Sequence, residues 1–191
     1  MYKFNSITSQ DLIDNTYGLE GSFFITINTA NNDLPLSTIK SNKVILSPAG
    51  KIVEKSLLEM EKHFLNLKIE HYIIMPNHIH ALIHINNIDL EQLIISGVSR
   101  FEMSFGLMVG RLNPFLLKGS IFHAVTWFKA SSLIELQKNN YTKFLWKSGY
   151  FDFTIQNQTS YNNVAKYINH NPENWEDDLD HPENNYRSII Y

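Results

Sequence analysis

The chain has 191 residues, a formal net charge of −3 and a hydrophobic fraction of 43%, enough to bury a sizeable core in one domain or one domain with an appendage. It contains no cysteine, which excludes a disulfide framework, a thiolate metal site and a cysteine nucleophile. No run of about 18 apolar residues occurs, which excludes a hydrophobic membrane-spanning helix, and the start Met1-Tyr2-Lys3-Phe4-Asn5-Ser6 has no apolar signal core, so a soluble cytoplasmic protein is expected.

Charge is unevenly distributed. Residues 173–186 hold Glu173, Glu176, Asp177, Asp178, Asp180 and Glu183 with no Lys or Arg, and read as an acidic C-terminal tail. Residues 1–172 carry 15 basic and 13 acidic side chains, and six lysines fall between Lys40 and Lys68. The body is mildly basic but holds only Arg100 and Arg111. Any grip on nucleic-acid phosphates is therefore expected to be weak and salt-sensitive.

Taken in order, Gly21 to Thr29 is rich in aromatic and β-branched residues and predicts a strand, ended by Asn31-Asn32-Asp33. Lys43 to Leu46 predicts a short strand. Ser47-Pro48 has the form of an N-cap followed by proline in the first helical turn. Ile52, Leu57, Leu58, Met60, Phe64 and Leu65 then recur at helical spacing, predicting a helix to about Leu67. Residues 69–75 and 79–85 predict two strands joined at Pro76-Asn77. Asp89 to Ile95 predicts a short helix in an otherwise unreadable stretch of 86–120. Phe122 to Gln137 predicts a second long helix, and 144–146 and 151–155 predict extended pieces. The last helix, capped by Asn157 or Thr159, carries Tyr161, Val164, Ala165 and Ile168 as one apolar stripe and stops near Asn171, before Pro172. Strands and helices alternate around an antiparallel hairpin, which predicts a single α+β sandwich over 1–191.

Strand alternation puts His78, His80, Leu82 and His84 on one face and Ile79, Ala81, Ile83 and Ile85 on the other. The aliphatic row suits a core. His78 and His80 can aim both imidazoles at one divalent ion, or stand as hydrogen-bonded strand histidines. His84 fits either a satisfied histidine or an outer partner of the site. At about 100° per residue, Tyr167 falls at the edge of the apolar stripe, with Asn171 one turn beyond it. Tyr167 reads either as a helix tyrosine with an exposed hydroxyl or as a nucleophile toward phosphorus, and a free phenol, titrating near 10, then needs help at neutral pH. Two imidazoles and the Asn171 carbonyl oxygen form a mixed nitrogen–oxygen set suited to Mg²⁺ or Mn²⁺, though imidazole also takes Zn²⁺.

Two blocks, Met75-Pro76-Asn77-His78-Ile79-His80 and Tyr167-Ile168-Asn169-His170-Asn171-Pro172, together resemble the single-tyrosine HUH (His-hydrophobe-His) transposases of the IS200-like superfamily. The resemblance is greatest to the REP-associated tyrosine transposases. Gly21 to Ile27 is similar to their first strand, Leu46 to Val53 to the start of their first helix, and Leu145 to Asp152 to their pre-catalytic loop. The resemblance implies a ferredoxin-like (RRM-like) α+β fold with a central antiparallel sheet. It implies Tyr167 as nucleophile, and His78, His80 and Asn171 as ligands of a Mg²⁺ or Mn²⁺ ion. It further implies a single-stranded DNA endonuclease and strand transferase acting at hairpins or palindromic repeats through a 5′-phosphotyrosine, as a monomer or homodimer. Trp146, Lys147, Tyr150 and Lys166 are the candidate DNA contacts, the aromatics for stacking and the lysines for phosphates; the alternative reading makes Trp146 core and the two lysines solvated. Two positions depart from the pattern. Phe153 stands where the family usually has histidine, and Asn31-Asn32 where it often has Asn-Arg. A DNA-binding relative with weakened catalysis is the alternative. A histidine-triad nucleotide hydrolase is the lesser one, because its third histidine would fall at Leu82.

Overall fold

The computed structural model describes residues 20–30, 34–86 and 120–184. The elements are β1 (Gly21–Asn28), β2 (Ser37–Lys40), β3 (Lys43–Leu46), α1 (Pro48–His63), β4 (Leu67–Ile74), β5 (His78–Ile85), α2 (Ile121–Lys138), β6 (Phe151–Ile155) and α3 (Gln158–His170), followed by a 3₁₀ segment, Asn171–Asp177. The expected helix at 89–95 lies outside the described residues. No helix among the described residues is long and apolar enough to cross a membrane.

β1, β4, β5 and β6 form one sheet in the order β4-β5-β1-β6, and each neighbouring pair is antiparallel. With α1 after β1 and α2 after β5, this is the split β-α-β arrangement of a ferredoxin-like fold. β2 and β3 are an inserted hairpin between β1 and α1.

The sheet is covered on both faces. On one, Phe23, Ile25 and Ile27 of β1 and Ile79, Ala81, Ile83 and Ile85 of β5 pack with Val53, Leu57 and Met60 of α1 and Val125 and Phe128 of α2. On the other, Phe24 and Leu82 pack with Val164 and Ile168 of α3, flanked by Ile73, Phe153, Ile155 and Tyr161. The predicted aliphatic row of β5 is thus the α1/α2 face, and the histidine row faces α3.

Local chemistry explains most boundaries. The Ser47 side chain accepts the Gly50 N–H at 3.0 Å and caps α1. α1 ends at His63 rather than Leu67, because Phe64 turns extended and the chain must start β4. Leu65, which seemed to prolong the helical stripe, is 85% exposed. The unexpected strand β2 returns on β3 through Ser41-Asn42, both at positive φ (48° and 59°), the backbone of a type I′ turn made without the usual glycine. Asn157 caps α3 by accepting the Ser160 N–H at 2.9 Å.

Gly50 permits a close approach. A Cβ there would lie 1.9 Å from the Leu36 carbonyl oxygen, which also accepts the Ser47 N–H. Gly50→Ala should destabilise the fold by about 1–3 kcal/mol through overpacking against backbone. A urea titration should show a lower midpoint at unchanged slope; an unchanged midpoint would mean that α1 does not bear on Leu36.

Candidate active site

The site is set by strand register. Thr26 pairs with His80 and Asn28 with His78 across β1 and β5, so these four side chains share the face covered by α3. His78 follows a tight turn in which the Met75 N–H donates to the His78 carbonyl at 2.9 Å. Both imidazoles are buried, His78 at 0% and His80 at 2% exposure. Their Nε2 atoms lie 3.0 Å apart. The outer nitrogens are held by partners: His78 Nδ1 with Asn77 Oδ1 at 2.9 Å and His80 Nδ1 with Thr26 Oγ1 at 2.9 Å. Partners of this kind orient metal-binding histidines and leave Nε2 to face the ion. Bonds of about 2.1 Å at right angles place neighbouring donors about 3.0 Å apart, so the pair has the spacing of two ligands on one ion.

α3 brings Tyr167 over this pair. Val164 and Ile168 anchor the helix in the core, and Tyr167 sits at the margin of their stripe, 40% exposed. Its hydroxyl is 3.3 Å from His80 Nε2 and 3.4 Å from Asp178 Oδ2. Its ring meets Phe24 edge-on and stands 5.2 Å from the His80 ring.

Beyond α3 the chain does not leave as a solvated tail. The 3₁₀ segment passes through Pro172 and returns Asp178 to the histidines. His78, His80 and Asp178 each present a ligand atom within 4.8 Å of the others. Asn171, predicted from sequence, is buried beside them and donates from Nδ2 to Asp178 Oδ2 at 2.8 Å. Its Oδ1 is buried without a hydrogen-bond partner, an oxygen suited to a cation. Asp178 itself carried no distinguishing signal, being one of six acidic residues in a stretch without Lys or Arg. The described part of this acidic stretch is anchored to the sheet and to itself. Asn77 Nδ2 donates to the Asp180 carbonyl and Asn28 Nδ2 to Asp180 Oδ1, both at 2.6 Å. Asn184 Nδ2 donates to the carbonyls of Glu176 and Asp178.

Burial, then the neighbouring His80, hold the His78 imidazole well below its usual range, so it stays neutral at physiological pH. Burial alone would push the Asp178 carboxyl up. The His80 and His78 imidazoles, the Asn171 amide and the Asp180 N–H outweigh it and hold the carboxyl well below the usual range. Burial, then the charges of Asp178 and Asp180, push the Tyr167 phenol well above its usual value. The site therefore gathers negative charge around a phenol that keeps its proton.

Of the expected DNA contacts, Lys147 is brought to this face. Its N–H donates to the Asn28 carbonyl at 2.9 Å, its side chain is exposed, and its charge acts on both His78 and Asp180. Lys166 is exposed on α3, one residue before Tyr167. Trp146 and Tyr150 are not brought to the site: both pack against the α1/α2 core. Trp146 bridges Thr29, one step from Asn28, and so faces the other side of the sheet; its indole N–H donates to Ser132 Oγ at 3.0 Å. Phe153 pairs with Phe24 in register and packs on it, 5.3 Å between centroids, giving apolar cover where the family pattern has an imidazole. Leu82 is buried under α3, with no nitrogen to serve a histidine triad.

No family model matches the chain. It is 28% identical over 162 residues to an uncharacterized protein of Haemophilus influenzae, a match covering 85% of this chain and 86% of the relative. Its structure superimposes with a TM-score of 0.55 on a REP-associated tyrosine transposase bound to a REP hairpin, at 13% identity, covering 92% of this chain and 74% of the other. At that identity the likeness is one of architecture: the chain shares the fold of a REP-associated tyrosine transposase.

Proposed function

We propose that this protein is a metal-dependent single-stranded DNA endonuclease and strand transferase of the single-tyrosine HUH type, similar to the REP-associated tyrosine transposases. It would act in the cytoplasm, on hairpin or palindromic DNA, as one domain. The observation that carries this reading is the Tyr167 hydroxyl poised 3.3 Å from His80 Nε2 above a buried pair of facing imidazoles. The fold shared with a transposase bound to a hairpin supports the substrate class.

His78 Nε2, His80 Nε2 and the unpartnered Asn171 Oδ1 suit a Mg²⁺ or Mn²⁺ ion by donor type and spacing. When bound, that ion polarises the scissile phosphate and offsets the carboxylate field around Tyr167. The chain's own residues do the rest. Thr26 and Asn77 hold the imidazoles in place. The Tyr167 oxygen attacks phosphorus and gives up its proton to a water molecule. The bond from phosphorus to the 3′ oxygen breaks, and that oxygen leaves as a 3′-hydroxyl after taking a proton from water. The 5′ phosphate remains esterified to Tyr167. Attack by a 3′-hydroxyl reverses the step, joins strands and frees the phenol. Lys147 neutralises a backbone phosphate beside the site.

The aromatic Phe153 favours, as second reading, a DNA-binding relative with weakened catalysis, and one assay separates the two. Incubation with a labelled hairpin oligonucleotide and Mn²⁺ should give an adduct that survives boiling in detergent and maps to Tyr167. Tyr167→Phe removes one oxygen, should fold normally and should give no adduct. His80→Ala should slow nicking by at least about 100-fold, more than the loss of a ligand's outer partner costs. Binding without any adduct in the wild-type protein would support the second reading, and an adduct on another residue would overturn the assigned nucleophile.

Lys147→Ala should weaken single-strand binding and lower the slope of log affinity against log salt by about 0.7, the value for one phosphate contact on a single strand. An unchanged slope in a fluorescence-anisotropy titration would place Lys147 off the DNA path.

A further inference from the structure

We propose that Asp178 binds the same divalent ion as His78 and His80, so that the strap after α3 is a working part of the metal site; this rests on reading that site as a metal centre. Three observations carry it. The first is charge. The Asp178 carboxylate is only 6% exposed, and its ion-pair contact among the described residues is His80 Nε2 at 4.0 Å, with no Lys or Arg. A buried carboxylate needs a cation or a full set of hydrogen bonds.

The second is orientation. The Asp180 N–H donates to Oδ1 at 2.7 Å and Asn171 Nδ2 to Oδ2 at 2.8 Å. With the Tyr167 hydroxyl also donating to Oδ2 at 3.4 Å, these fix the plane of the carboxylate and leave further lone-pair capacity on Oδ1, and the group offers a ligand atom within 4.8 Å of those of the two histidines.

The third is linkage. The Asn77 carboxamide contacts both parts of the site: its oxygen meets His78 Nδ1, and its amide donates to the Asp180 carbonyl. The side chain that orients a histidine ligand therefore also fastens the strap that carries Asp178. Asp180, two residues on, serves as an internal control. It is also acidic and part-buried, but its Oδ1 is taken by Asn28 and it does not belong to the ligand group. The acidic stretch then has two parts: Asp178 faces the ion, and Glu173 and Glu176 face solvent.

Mn²⁺ titration of the metal-free full chain, followed by the paramagnetic resonance of free Mn²⁺ and without DNA, tests this. Wild type should bind one ion per chain. Asp178→Asn should bind at least about tenfold more weakly, Asp178→Glu should recover most of the affinity, and Asp180→Asn should stay within about threefold of wild type. Mn²⁺ should also slow cleavage of the strap by a glutamate-specific protease in wild type but not in Asp178→Asn. Thermal melts without metal report whether each variant folds; if Asp178→Asn does not, wild-type strap protection by Mn²⁺ decides the matter. Wild-type affinity in Asp178→Asn, an equal loss in Asp180→Asn, or no Mn²⁺ protection of the strap would overturn the proposal. If Asp178→Asn binds normally while the Tyr167 adduct still requires Mn²⁺, this inference alone falls. If the wild-type chain binds no Mn²⁺, the metal-centre reading falls with it.

Discussion

Everything at the site depends on the phase of β5 against β1. A strand presents alternate residues to opposite faces, so a slip of one residue exchanges the two rows entirely. In the observed register Ile79, Ala81, Ile83 and Ile85 enter the α1/α2 core, while His78 and His80 lie beneath α3 beside Asn28 and Thr26. The opposite phase would turn three imidazoles, His78, His80 and His84, into the aliphatic core and four aliphatics toward α3. The hydrophobic demand of one face thus places the polar chemistry of the other.

Around the histidines the strap is tied down largely by neutral carboxamides. Asn28, Asn77, Asn171 and Asn184 hold it through five hydrogen bonds to Asp178, Asp180 and the Glu176 carbonyl. An amide satisfies a carboxylate without cancelling its charge. A lysine or arginine here would neutralise Asp178 and compete with a metal ion for it. Burial first, and then this uncancelled charge, raise the Tyr167 phenol. The buried His78, His80 and Asp178 therefore form a group that could hold a metal ion.

Features governed by local pattern were legible in the sequence. The Ser47 and Asn157 caps, the apolar stripe of α3 and the alternation of β5 each depend on residues within a few positions of one another, and all were found as expected. Features set by distant contacts were not. β2 forms because Leu36 and Ser37 bond back to Pro76 and Ile74, which no spacing within 34–40 reveals. Trp146 has the composition of a stacking residue, but strand phase turns it toward Ser132 and the core. Asp178 reaches the site because a 3₁₀ turn and two asparagines far away in sequence, Asn28 and Asn77, fold the strap back, so its placement was invisible beside five similar acidic neighbours. The resemblance located His78, His80, Tyr167 and Asn171, which the structure brings together, but it had nothing to say about the strap.

The central claim is that strand register and the α3 strap converge on one ion beneath Tyr167. Diffraction from crystals of the Tyr167→Phe protein grown with Mn²⁺ and a hairpin oligonucleotide tests it most directly, through the anomalous signal of the metal. A single strong peak is expected within bonding distance of His78 Nε2, His80 Nε2 and the Asp178 carboxylate, with a DNA phosphate beside it and the Phe ring facing that phosphate. Bound DNA with no anomalous peak at the two histidines, or a peak placed away from α3, would contradict it.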